Sequence, residues 1–181
     1  MSFRRQQHGR TGAIYLDSGK KAEINDVTFA GNKAYYFFDP FVTTGYGGAI
    51  LISEPGTALT LKNCLLTGNL AEEDGGAIYG ANDDEVTIVL DNTEICSNYA
   101  NSDGGGINVD GEDIYITGIN GSSLHDNHCK EKGGGIYLWN DEVTLRGLYI
   151  YENFAAYGGG VYTKEEDIEL INLTIKRNDA S

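Results

Sequence analysis

The sequence predicts an all-β fold: a right-handed parallel β-helix of about six coils, each with three short strands and an asparagine ladder. Three observations predict it. A glycine motif, an asparagine and a bend-forming residue each recur six times in one phase, mostly at a period of about 25 to 30 residues. Self-similarity at such a period marks a stacked-repeat architecture.

Each coil opens on glycine. The motif is Gly12-Ala13-Ile14, then GGAI at Gly47 to Ile50 and Gly75 to Ile78, then GGGI at Gly104 to Ile107 and Gly133 to Ile136, and GGGV at Gly158 to Val161. The first strand begins at its apolar residue. The second strand alternates, as in Val86-Thr87-Ile88 and Val143-Thr144-Leu145, and period-two alternation is the signature of a half-buried strand. A bend follows at Asp26, Asn63, Asn92, Gly121, Gly147 and Asn172, residue types that tolerate left-handed backbone. The third strand then leads into an apolar anchor, two variable positions and an asparagine: FAGN, LTGN, ICSN, LHDN, IYEN and IKRN.

Those asparagines are Asn32, Asn69, Asn98, Asn127, Asn153 and Asn178. Stacked at the ~4.8 Å spacing of parallel strands, they are expected to hydrogen-bond coil to coil as a structural ladder. Two residues on, a small side chain (Ala34, Ala71, Ala100, Cys129, Ala155, Ala180) marks a crowded corner. Right-handed winding is the default for parallel connections.

The 181 residues read as a single domain, 1–181, with 40% apolar content, 25 glycines and only two prolines. The net charge of -14 is expected to repel nucleic acid and anionic membranes. No apolar run approaches the ~20 residues of a membrane span, and MSFRRQQHGR is followed by no apolar signal region. Cys64, Cys96 and Cys129 occupy different phases of their repeats and read as free thiols. Both ends of the sequence fall inside a repeat without a visible cap, which suggests part of a longer protein or copies joined head to tail.

Contact candidates are aromatic. Residues 35–46 interrupt the register as an insertion carrying Tyr36, Phe37, Phe38 and Phe41, and inserted loops often form a binding face. The outward position of the first strand reads Tyr15, Leu51, Tyr79, Asn108, Tyr137, Tyr162, with Trp139 nearby. Such a strip suits sugar rings, or else supports the sheet through cross-strand pairing. The turn before the second strand is acidic and includes Asp84, Asp113, Asp141 and Asp167. Stacked carboxylates there could take Ca2+ or form a solvated edge.

Catalysis finds little support. The outer column of the second strand, read as Glu23, Thr60, Thr87, Tyr115, Thr144, Glu169, places no two acids on adjacent coils. Neither does the third, Thr28, Leu65, Glu94, Ser123, Tyr149, Thr174, and glycoside hydrolysis requires such a pair. The one acid–base cluster is His125-Asp126 with Glu152 one coil on. The expectation is therefore a non-enzymatic protein without catalytic residues.

GGAI at Gly47 to Ile50 and Gly75 to Ile78, with FAGN at Phe29 to Asn32, resembles the GGAI and FxxN repeats of the chlamydial-type polymorphic outer membrane proteins, within the pectin-lyase-like superfamily of folds. The resemblance extends along essentially the whole chain, although later coils carry GGGI or GGGV and only Phe29 keeps the aromatic anchor. It implies a surface-displayed β-helical passenger acting in adhesion, extracellular or at the cell surface. The partner would be a host or neighbouring-cell surface protein or glycan. The alternatives are a filament subunit stacking on copies of itself and a carbohydrate-active enzyme or binding module.

Overall fold

The structure, a computed structural model, describes residues 12–17, 21–35, 45–53, 56–81, 85–139, 142–164 and 167–181. Among the described residues every regular element is a strand, and all strand pairing is parallel. The strands form four six-stranded sheets in which each strand pairs with its counterparts in the coils before and after. The protein is a parallel β-solenoid.

Each coil has four strands rather than the three expected. In the third level these are Ile78–Ala81, Val86–Asp91, Glu94–Cys96 and Tyr99–Ala100. The fourth is only two residues long, too short for alternation to reveal it. It follows the ladder asparagine, and its inward residue is the small side chain of the corner. Ala34, Ala71, Ala100, Cys129 and Ala155 are fully buried there.

The coil count also needs correction. The levels beginning at Ile50, Ile78, Ile107 and Ile136 are stacked on both sides, giving about four enclosed turns between two outer levels. Exposure shows the difference. Leu145 and Ile150 are completely buried, whereas their partners in the last level, Leu170 and Ile175, are 51% and 46% exposed.

The core runs along the axis. In Val86–Asp91, Val86, Ile88 and Leu90 point inward and are buried, while Thr87, Val89 and Asp91 are half-exposed. Each buried Ile, Leu or Val contributes roughly 1.5–3 kcal/mol of transfer free energy. Stacking makes one continuous column of them.

Three columns of left-handed residues turn the chain, one of them the leading glycine of each pair, with φ of 63° at Gly47, 69° at Gly75, 65° at Gly104, 70° at Gly133 and 60° at Gly158. The expected bend is present, with φ of 58° at Asp26, 50° at Asn63, 47° at Asn92, 85° at Gly121, 67° at Gly147 and 51° at Asn172. The column immediately before each ladder asparagine was not expected: Gly31, Gly68, Ser97, Asp126, Glu152 and Arg177 all have φ between 51° and 65° or so. The glycine pair has a steric cause. A Cβ on Gly76 would strike the Gly105 carbonyl oxygen and the Tyr99 backbone, so only glycine lets these turns stack.

The ladder is continuous. The Nδ2 of Asn32, Asn69, Asn98, Asn127 and Asn153 each donates to Oδ1 of the next asparagine at 2.8–3.0 Å. The same Oδ1 also accepts the preceding asparagine's backbone N–H. The other Nδ2 hydrogen goes to a carbonyl one coil back, as from Asn98 to Leu66 at 2.9 Å. Four of the six side chains are about 99% buried with these needs met.

One register differs from expectation. Thr60 pairs with Val89, and Thr87 pairs with Ala58. The outer columns of the second sheet are therefore Glu23, Thr60, Val89, Thr117, Arg146 and Ala58, Thr87, Tyr115, Thr144, Glu169. A slip of two residues keeps every side chain on its own face, so burial pattern alone does not detect it.

Candidate functional site

The first sheet carries the expected column in the expected register, Tyr15, Leu51, Tyr79, Asn108, Tyr137, Tyr162. Its middle is covered. Tyr137 is buried and Tyr79 partly so, because the turn carrying each glycine pair folds back across the strand that follows. Gly75 illustrates the closeness: a Cβ there would lie 2.8 Å from Tyr79 Cβ. Tyr46, at the end of the insertion, packs its ring on Tyr79 at 4.5 Å.

The accessible part is the far end of the strip. The Tyr137 and Tyr162 rings stack at 5.6 Å and 11°. Trp139, two residues beyond Tyr137 on the same face, is 42% exposed, and Lys164 Nζ sits 4.2 Å from its ring centroid. Lys132 covers Tyr162 from 5.8 Å. The result is one stacked tyrosine pair, its Tyr137 ring buried, beside one exposed indole, with a lysine over Tyr162 and another over Trp139. Tyr36, Phe37, Phe38 and Phe41 lie outside the described residues.

Behind the strip runs an acid pair. The Asp103 backbone N–H donates to Asp74 Oδ1, and the Lys132 backbone N–H donates to Asp103 Oδ1, both at 2.8 Å. Burial, followed by the Asp74 charge, raises the Asp103 carboxyl to about 6. Burial also pushes Asp74 and the Tyr79 and Tyr137 hydroxyls upward. The strip is thus an interior support along half its length and a surface only near Trp139.

In the acidic turn column, Asp113 pairs with Glu142 and Glu142 with Asp167 on successive levels. Asp84 and Asp141 lie outside the described residues. Among the described residues of this column no three ligand atoms converge, and the one such convergence among the described residues is on another face.

That face is the outer side of the third sheet. Strand alternation puts Glu94 and Cys96 on the same side of Ile95, and the register sets His125 directly above Cys96. His125 Nε2 is 2.9 Å from Glu94 Oε1, and Nδ1 is 2.7 Å from Asp126 Oδ2. Cys96 Sγ is 3.4 Å from Thr67 Oγ1, one level back. The imidazole stacks on Tyr151 at 4.6 Å and 7°, and Lys176 lies 5.5 Å from that ring. Glu152, expected near His125, instead pairs with Arg177 at 2.8 Å. Besides the neighbouring Asp126, the carboxylate that reaches the imidazole comes from the coil before, not the coil after.

All three cysteines are free and buried. Cys129 fills an alanine position, and burial pushes its thiol up to about 12. The Cys96 thiol is raised by burial and by Glu94, and it alone shares a face with other metal-ligand side chains. The signal was present in the sequence: Cys96 stands two before Asn98 and His125 two before Asn127. A second strip was also missed, the outer column of the fourth sheet, where His128 meets Tyr99 at 5.3 Å and Phe154 at 4.8 Å, both edge-on.

Comparison with known families identifies the repeat. The family model for the Chlamydia polymorphic membrane protein repeat matches residues 26–53 and 63–81. These stretches hold both GGAI motifs and the first two asparagine motifs, and the solenoid they form agrees with the resemblance drawn from the sequence. No curated protein and no solved structure matches the chain significantly.

Proposed function

From the match of residues 26–53 and 63–81 to the Chlamydia polymorphic membrane protein repeat, we propose a surface-exposed, non-enzymatic rod that acts by rigid display of a contact patch. The repeat family is one of outer-membrane, surface-exposed proteins, which supports a place at the cell surface. The observation that carries the adhesive reading is the Trp139 patch: an indole 42% exposed beneath Lys164, beside the stacked Tyr137 and Tyr162 rings. Exposed aromatic faces with adjacent cations are common at contact sites. The exposed Trp139 indole also suits the flat face of a sugar. The partner is a surface protein or glycan of a host or neighbouring cell.

The test is binding of the purified chain to cultured cells and to a glycan panel, with Trp139→Ala and Lys164→Ala alongside. Saturable binding that weakens at least about tenfold in Trp139→Ala is expected, in line with loss of an interface anchor. Absence of saturable binding, or release of unsaturated or reducing ends from polysaccharide, would overturn the reading.

A further inference from the structure

We propose that Glu94, Cys96 and His125 form a binding site for one divalent transition-metal ion of the zinc type, on the outer face of the third sheet. The carboxylate, thiol and imidazole ligand atoms all lie within 4.8 Å of one another. They come from two adjacent coils of the rigid part of the solenoid, where backbone pairing fixes Glu94 opposite Ser123 and Cys96 opposite His125. Zinc takes these three donor types at about 2.0–2.3 Å in a tetrahedron. The present spacings require adjustment only of side chains, chiefly the exposed Glu94.

The surroundings match what such an ion needs. His125 Nε2 faces Glu94 Oε1 at 2.9 Å, and an ion entering there takes the place of their direct contact. Nδ1 faces Asp126 Oδ2 at 2.7 Å. That second carboxylate keeps the Nδ1 proton in place, leaves Nε2 as the ligand nitrogen and makes Asp126 a positioning residue. Tyr151, stacked on the imidazole, fixes the ring plane from the following coil. Glu94 and Asp126 are half-exposed, so the ion enters directly from solvent and the fourth coordination position falls to water. A thiolate and an imidazole select zinc-like ions over calcium or magnesium, which prefer all-oxygen sites. Cys64 and Cys129 hydrogen-bond to backbone carbonyls instead.

The test uses the whole chain, reduced and metal-free, titrated with Co2+ as a spectroscopic probe and then with Zn2+ as competitor. One Co2+ per chain is expected, with a thiolate-to-cobalt charge-transfer band that Zn2+ abolishes. Cys96→Ser removes the band. His125→Gln and Glu94→Gln each weaken affinity at least about tenfold, and Asp126→Asn weakens it roughly 10- to 100-fold. Cys64→Ser and Cys129→Ser leave both band and affinity unchanged. Circular dichroism confirms the fold of each variant, and if Cys96→Ser does not fold, the His125 and Glu94 variants carry the decision. No charge-transfer band, a band that survives in Cys96→Ser or follows Cys64 or Cys129, affinity unchanged in the His125 and Glu94 variants, or saturation by Ca2+ at equal affinity would each overturn the proposal.

Discussion

Asp103 shows how one residue can contribute to the pH response of the rod. Its carboxyl is half-buried beside Asp74 and titrates at about 6 rather than the ordinary 3.8. Between those two values the folded chain holds a proton that the unfolded chain has released. The stability from this group is therefore complete below about pH 3.8 and is lost as pH rises through about 6. Asp103→Asn keeps an oxygen for the Lys132 N–H and removes the charge. It should stabilise the protein at pH 7 by about 1 kcal/mol, after allowance for the solvent screening of a half-exposed group. It should also flatten the decline between pH 4 and 6, measured by denaturant midpoints across that range. A variant that matches the parent at pH 7 and keeps the slope would disprove this account.

At the scale of elements, the ladder is the unit that joins one coil to the next. Removing the Asn98 side chain leaves the Asn69 N–H and Nδ2 without their acceptor and the Leu66 carbonyl without its donor, all in the interior. Buried polar groups left unmatched cost ~1–3 kcal/mol each. Asn98→Ala should therefore destabilise by at least ~3 kcal/mol, and Asn178→Ala, at a partly exposed rung, by less than half of that, both measured by chemical denaturation. Equal losses at the two rungs would mean that burial does not govern the ladder. These asparagines, the glycine pairs and the small corner residues were legible in the sequence because every coil meets the same steric problem with the same residue type. The fourth strand was not, since Tyr99–Ala100 has no length in which to show a period. The second-sheet register escaped as well, since a two-residue slip leaves Thr60 and Thr87 facing outward either way. Burial of Tyr79 and Tyr137 depends on a turn that folds back over them, a tertiary effect that strand alternation does not encode. The Glu94, Cys96 and His125 cluster needed the coil-to-coil pairing before distant residues became neighbours.

For the whole molecule, strand pairing among the described residues runs between adjacent levels, as in other solenoids, so stability is close to a sum of coil and interface terms. The levels containing Val86–Asp91 and Asp113–Ile119 have neighbours on both sides, and their inward residues are fully buried. In this 181-residue chain, amide exchange should be slowest there and faster by at least about tenfold in Asp167–Ile171 and Thr174–Lys176, where Leu170 and Ile175 are open to solvent. Uniform protection along the axis would show that the rod opens as a single unit.

The ladder also gives the rod a sense of direction. From Asn32 to Asn153 each rung gives one Nδ2 hydrogen forward to the Oδ1 of the next asparagine, and no rung gives one to the asparagine before it. The aligned amides polarise one another, so the axis carries an electrical polarity of its own. In a chain made from its N-terminus, each rung waits for the next coil to supply its acceptor. Folding coupled to synthesis or export would then advance one coil at a time, each finished turn completing the one before it.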